Sequence, residues 1–150
     1  MTRNRMPRRL AGRGGQAMVE FSIIAFLLSV ILLSVVEIGR MVLVYTTIAN
    51  AARAGERYAV VHGSSRTGAG VDGPSGPGSN PAQVVTVVKN FASAGLLTGS
   101  LLVVTIAYSS GSNAPGQPVN VTVVYPYDPF TTWLPFHVRI GSTTQGVIAF

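Results

Sequence analysis

The side chains that could perform acid–base or metal chemistry are few and lie far apart in the sequence. Beyond residue 61 the acids are Asp72 and Asp128, and the two histidines are His62 and His137. Their spacing matches no catalytic triad, no pair of catalytic carboxylates and no set of metal ligands, and the chain has no cysteine. We therefore expect no catalytic residue, no metal and no cofactor, so the protein is not expected to be an enzyme.

The positive charge of the chain is concentrated at its N-terminus. The 150 residues include 11 basic and 5 acidic side chains, which gives a formal net charge of +6. Five arginines and no acid fall within residues 1–15, so the remaining six basic and five acidic side chains leave residues 16–150 at only +1. The sequence pI is about 10.5. Because residues 16–150 are nearly neutral, this high pI does not indicate a phosphate-binding surface. We expect neither nucleic acid nor a small-molecule substrate as a partner.

Residues 17–36 form an apolar run that contains a single charge, at Glu20. As a helix, its 20 residues would extend about 30 Å, the thickness of the hydrocarbon core of a bilayer. The run predicts a membrane span, with the arginine-rich N-terminus kept in the cytoplasm. One alternative is a buried core helix, which little else in the chain could surround. Another is the core of a cleaved secretory signal, which is usually shorter.

The helical pattern continues beyond the apolar run, since no Gly-Pro break follows Val36 and apolar or small residues recur at three- and four-residue steps. This stripe consists of Ile38, Met41, Tyr45, Ile48, Ala52, Gly55 and Ala59. It predicts one continuous membrane and stalk helix over residues 16–62, about 70 Å long. The stripe could pack against the C-terminal part of the same chain or against other subunits, and its spacing fits both.

The remaining sequence indicates a linker and a small α+β head. Residues 63–81 are rich in glycine and proline and predict a loop without a core. Residues 82–94 have an apolar helical face and are followed by Gly95, a common helix terminator. The expected head, residues 82–150, places this helix on a three-stranded antiparallel sheet. Segments rich in β-branched residues predict its strands, over residues 101–108, 119–125 and 136–148.

The start of the apolar run carries a further pattern, Gly15-Gln16-Ala17-Met18-Val19-Glu20-Phe21. A glycine, four residues and then Glu-Phe at the start of an apolar helix resemble the processing site of Flp-type prepilins. The resemblance implies that a membrane prepilin peptidase cuts between Gly15 and Gln16 and removes residues 1–15 as a leader. It also implies that Glu20 and Phe21 serve insertion and assembly, with the new amine of Gln16 pairing with Glu20 of a neighbouring subunit.

Two later motifs extend the resemblance, Glu37-Ile38-Gly39-Arg40 and the segment AARAGERYA over residues 51–59. In this order and at this spacing, the three motifs are similar to the TadE/TadG-like family. Its members are minor pseudopilins of the tight-adherence (Tad) pilus system. The family residues of the stalk are Glu37, Gly39, Arg40, Ala52, Arg53, Gly55, Arg57 and Tyr58.

The resemblance implies a structural function, as a pseudopilin in the bacterial inner membrane with its head outside the cytoplasm. The implied partners are other pseudopilins and pilin subunits, the pilus assembly platform, the prepilin peptidase and the lipid bilayer. The residues alone also permit a membrane-tethered binding or adhesin domain. In that alternative the leader stays attached, and the Gly/Pro loop with the aromatic residues of segment 125–136 forms the binding surface.

Overall fold

The computed structural model of the chain describes residues 13–66, 81–130 and 138–149, with side chains from residue 15 onward. Two helices and three strands form the α+β arrangement that the sequence predicts. Asp72, His137 and most of the expected leader lie outside the described residues. The elements are Arg13–Val61 (α1), Ala82–Ala94 (α2), Val103–Tyr108 (β1), Pro118–Tyr127 (β2) and Val138–Val147 (β3), with a 3-10 turn at Gly99–Leu101.

The chain divides into two compact units, Met1–Ile38 and Gly39–Phe150. The described part of the first unit is helical throughout, and its large apolar side chains are exposed. It belongs to a helix that is long and apolar enough to cross a membrane, and none of the most apolar stretch is buried. This exposure argues against the core-helix alternative, because a core helix is covered by its own chain.

The second unit contains the sheet, in the antiparallel order β1-β2-β3. The register pairs Ile106 of β1 with Val121 of β2, and Val121 with Thr144 of β3. Alternate residues of β1 and β2 point into a core that they share with both helices. The helical side chains in this core are Val44, Ile48, Ala51, Ala52, Ala59, Val84, Val88 and Ala92.

The stripe on α1 packs against the chain's own head from Ile48 onward. Ile48, Ala52 and Ala59 are fully buried. For this part of the helix, the stripe therefore packs against the C-terminal part of the same chain and not against other subunits. Tyr45 does not share this packing, since it is 51% exposed and Val44 is buried in the head instead. Val44 lies four residues before Ile48, a step closer to the 3.6-residue helical turn than the three residues from Tyr45.

Helix α2 ends in a Schellman motif whose left-handed residue is Leu96. The amide of Leu97 donates to the carbonyl oxygen of Ala92 at 3.1 Å, as this motif requires. Gly95 occupies the C-cap as predicted, but its φ is −84°, and the positive φ of +65° belongs to Leu96. Position 95 favours glycine for a different reason. A Cβ there would collide with Cγ2 of Thr47 on α1.

Candidate functional site

The expected processing segment lies at the start of α1, with every described side chain exposed. A Cβ at Gly15 would meet no atom within 4 Å, and Phe21 is 70% exposed. Glu20 follows Gln16 by four residues, so the two share one face of the helix, about 6 Å apart along its axis. The side chains of this segment are therefore accessible to another molecule.

The serines on the apolar surface of α1 are satisfied within the helix. The hydroxyls of Ser22, Ser29 and Ser34 each donate to the carbonyl oxygen four residues earlier, at 2.7, 2.8 and 2.8 Å. A hydroxyl in lipid must find its partner inside the protein, because the bilayer core supplies none. These hydrogen bonds make the surface suitable for contact with lipid or with another apolar helix.

Two small residues of the stalk motif let α1 approach the rest of the head closely. Gly55 is buried, and a Cβ there would collide with Cγ2 of Val88 on α2 and lie 3.4 Å from Cγ1 of Val121 on β2. Ala52, three residues earlier on the same face, is fully buried. Because protein interiors are close-packed, a larger side chain at either position would displace its neighbours.

Hydrogen bonds to carbonyl oxygens of α1 join this helix to the end of the chain. Oγ1 of Thr144 on β3 donates to the carbonyl oxygen of Ala52 at 3.2 Å. The amide of Ala149 donates to the carbonyl oxygen of Val60 at 2.9 Å. These two bonds, separated by about two helical turns, fix the position of β3 along the stalk.

Tyr58, another residue of the stalk motif, stacks on His62. The ring centroids lie 3.8 Å apart, with an angle of 14° between the ring planes. His62 is 7% exposed, and its Nδ1 lies 2.8 Å from the carbonyl oxygen of Tyr58. Since a carbonyl only accepts, we assign the proton to Nδ1, which donates. His62 thus takes part in the packing where α1 ends.

Arg40 connects α1 to the end of β2 and to the residues that follow this strand. Its Nη2 donates a hydrogen bond of 2.6 Å to the carbonyl oxygen of Asp128. Its Cζ lies 4.8 Å from the ring centroid of Tyr127 and 4.2 Å from that of Phe130, within the range of cation–π attraction. Sequence reasoning missed this contact, because 88 residues separate Arg40 from Asp128.

Replacing Arg40 with lysine is expected to lower the free energy of unfolding of the second unit by about 1–2 kcal/mol. An ammonium group cannot stack on two rings while it donates to the same carbonyl. Arg53→Lys is the control, since Arg53 is exposed on the same helix and should change stability by less than about 0.5 kcal/mol. Chemical unfolding of the full chain in detergent, followed by circular dichroism, measures both. Equal midpoints for the two variants would contradict this role.

The remaining residues of the stalk motif differ in their surroundings. Arg53 and Arg57 are exposed and lie about one turn apart on α1. Glu37 is half-buried, and a Cβ at Gly39 would meet no atom within 4 Å. The motif therefore combines residues that pack within the head with others that are accessible to another molecule.

The described candidates for acid–base or metal chemistry take part in packing contacts. No group of three His, Asp or Glu side chains within residues 13–66, 81–130 and 138–149 could hold a metal ion. The two candidates for chemistry in these ranges take part in the contacts above, His62 through its ring and Asp128 through its carbonyl oxygen.

Comparison with known proteins bears on the N-terminal part of the chain. The family model described as TadE-like protein matches residues 15–57. Neither a curated protein nor a solved structure matches the chain. The matched range begins at the glycine of the expected processing site and includes seven of the eight family residues of the stalk, all but Tyr58. The resemblance is therefore confirmed over residues 15–57, where the chain is similar to TadE-like proteins.

Proposed function

We propose that the protein is a minor pseudopilin that helps to assemble a Tad-type type IV pilus from the bacterial inner membrane. One observation carries the proposal. The TadE-like match over residues 15–57 includes the apolar segment of α1, whose surface is not buried by the rest of the chain. The serine hydroxyls of this segment donate hydrogen bonds to backbone carbonyl oxygens of the same helix. Such a helix can remain in lipid or exchange lipid for the helices of neighbouring subunits, which is what a pilin-like subunit must do during assembly.

In this proposal the function is structural, with no catalytic step and no cofactor. Residues 17–36 hold the chain in the bilayer, and the five arginines before them keep the N-terminus in the cytoplasm, so the head lies outside. The partners are other pseudopilins, pilin subunits, the assembly platform and the prepilin peptidase. The platform would extract the helix from the membrane once the leader has been removed.

Processing after Gly15 supplies the first test of this function. Expressed with a prepilin peptidase, the membrane-isolated chain is expected to begin at Gln16 and to lack the mass of residues 1–15. Intact-mass spectrometry with N-terminal peptide mapping measures this directly. The matched control is the same chain with Gly15→Leu, which should keep its leader because the bulky side chain occupies the position next to the bond that is cut.

The same experiment separates the proposal from a tethered binding domain. A chain that keeps its leader in the presence of an active prepilin peptidase would contradict the pseudopilin role and favour a simple anchor. A mature N-terminus at a residue other than Gln16 would reject the processing site. Copurification of the mature chain with pilus components is the result expected for a pseudopilin.

A further inference from the structure

Leu96 has a strained backbone conformation and an apolar side chain that is exposed to water. It occupies the left-handed position of the Schellman motif, with a φ of +65°, where glycine is the usual residue. A leucine in this conformation is strained by its Cβ. Its side chain is also 95% exposed, so the strain is not offset by burial within the chain. Strain at an exposed apolar residue points to a contact outside the polypeptide.

Leu96 borders an apolar groove of about 380 Å³ in the second unit. The α1 wall of this groove includes Arg40 and Leu43, and the other wall includes Leu96 and Leu101. Leu43 is 67% exposed and Leu101 is 49% exposed. Phe130, which is 72% exposed, lies against Arg40 as described above. We define the Leu96 surface as Arg40, Leu43, Leu96, Leu101 and Phe130.

Charge and position in the chain favour lipid as the occupant of this surface. Of the residues that line the groove, only Arg40 and Asp128 are charged, and Arg40 donates a hydrogen bond to the backbone carbonyl oxygen of Asp128. Arg40 and Leu43 follow the end of the apolar run at Val36 by only four and seven residues. An arginine beside aromatic rings is also a common anchor at the headgroup level, where the guanidinium meets phosphates and the rings meet acyl chains.

We propose that the Leu96 surface docks on the bilayer at the boundary between headgroups and acyl chains, with Leu96 inserted into it. The inference rests on the membrane anchoring in the proposed function, but not on a role in the pilus. Docking would transfer the exposed leucines out of water and would compensate for the strained backbone of Leu96. It would also hold the head close to the membrane before assembly begins.

The absence of cysteine makes a clean labelling experiment possible. The full chain carrying Leu96→Cys, labelled with an environment-sensitive fluorophore, is reconstituted into phosphatidylcholine vesicles that contain lipids brominated near the carbonyl end of the acyl chain. The control carries the same label at Thr105→Cys. Thr105 is exposed on the face of the sheet that points away from the core. We expect quenching at position 96 to exceed that at position 105 by about threefold or more, since interfacial insertion reaches about 5–10 Å into the bilayer.

Two outcomes of this measurement would overturn docking on lipid. Equal quenching at the two positions would mean that the surface faces water. A second copy of the chain would cover position 96 if three results were seen together. The emission of the label would be blue-shifted, the brominated lipids would not quench it, and the shift would change with the protein-to-lipid ratio. Flotation of the vesicles is measured in parallel, because loss of the chain from the lipid fraction would count against the anchor itself.

The variant Leu96→Gly separates docking from folding. Glycine accepts the left-handed conformation without strain, so the unfolding midpoint in detergent should not fall. Removal of the inserted side chain should nevertheless reduce lipid quenching of a label at Leu101→Cys by about twofold or more. Unchanged quenching at position 101 with an intact fold would show that Leu96 contributes nothing to membrane contact.

Discussion

Replacing Gly55 with valine is expected to lower the free energy of unfolding of the second unit by about 3 kcal/mol. A Cβ at this position already collides with Cγ2 of Val88, and valine adds two further methyl groups. Val88 is fully buried on α2, and its branched side chain has few alternative rotamers, so it cannot move aside. A loss of this size is a large part of the roughly 5–15 kcal/mol that stabilises a typical domain.

The matched comparison for this prediction is alanine at Gly55 and at Gly39. Both glycines lie on α1, and a Cβ at Gly39 would meet no atom within 4 Å. Gly39→Ala is expected to stabilise the helix by up to about 1 kcal/mol through its better helix propensity. Gly55→Ala gains the same propensity, so the difference between the two variants measures the packing cost alone.

Chemical unfolding of the full chain in detergent, followed by near-ultraviolet circular dichroism, provides the measurement. The expected order of stability is Gly39→Ala above the unsubstituted chain, then Gly55→Ala, then Gly55→Val. Equal shifts for the two alanine variants would reject the close contact of α1 with α2. They would also reopen the possibility that the small residues of the stripe serve contacts between subunits.

The elements of this fold could be predicted because each has a local signal. Helix α2 begins and ends where its apolar face and Gly95 indicate, at Ala82–Ala94. The alternation of buried valines marks β2, which extends only slightly beyond the expected 119–125, to Pro118–Tyr127. Helix α1 ends at Val61, one residue before the expected end at residue 62. Periodicity and turn residues are read over a few neighbours, so they locate elements well.

The contacts of the site could not be predicted, because they depend on residues far apart in the sequence. The stripe on α1 indicates a small residue at position 55 but not that Val88 would lie against it. Helix-terminator statistics place the left-handed residue at Gly95. In the structure Gly95 is required by the nearby Thr47, and the strain moves to Leu96. Such choices are made by tertiary packing, which a local pattern does not contain.

The family pattern likewise does not distinguish residues that pack from residues that recognise a partner. Ala52 and Gly55 are buried in the head, whereas Arg53 and Arg57 are exposed on the same helix. The structure thus divides a motif that reads as one unit in the sequence. The stability variants above concern its buried part, and the exposed N-terminal segment, with Glu20, is where a defect in assembly without a defect in folding is expected.

Replacing Glu20 with alanine is expected to leave cleavage after Gly15 intact and to reduce recovery of the mature chain with pilus components by about tenfold or more. In the proposed function, the carboxylate of Glu20 pairs with the new amine of Gln16 on a neighbouring subunit. A charge in a membrane helix costs about 2.5–3.5 kcal/mol at the bilayer centre and less near its surface. Loss of about 1.4 kcal/mol of mutual neutralisation already corresponds to a tenfold weaker association.

The controls for Glu20 distinguish pairing from other uses of the carboxylate. Glu20→Gln should assemble as poorly as Glu20→Ala, because an amide keeps the size of the side chain but cannot neutralise an ammonium group. Ser22→Ala, in the same exposed turn, should be cut and assembled normally, since the hydroxyl bonds only to its own helix at 2.7 Å. Normal assembly of Glu20→Ala would rule out the pairing. Failure of the peptidase to cut it would instead assign Glu20 to recognition of the leader junction.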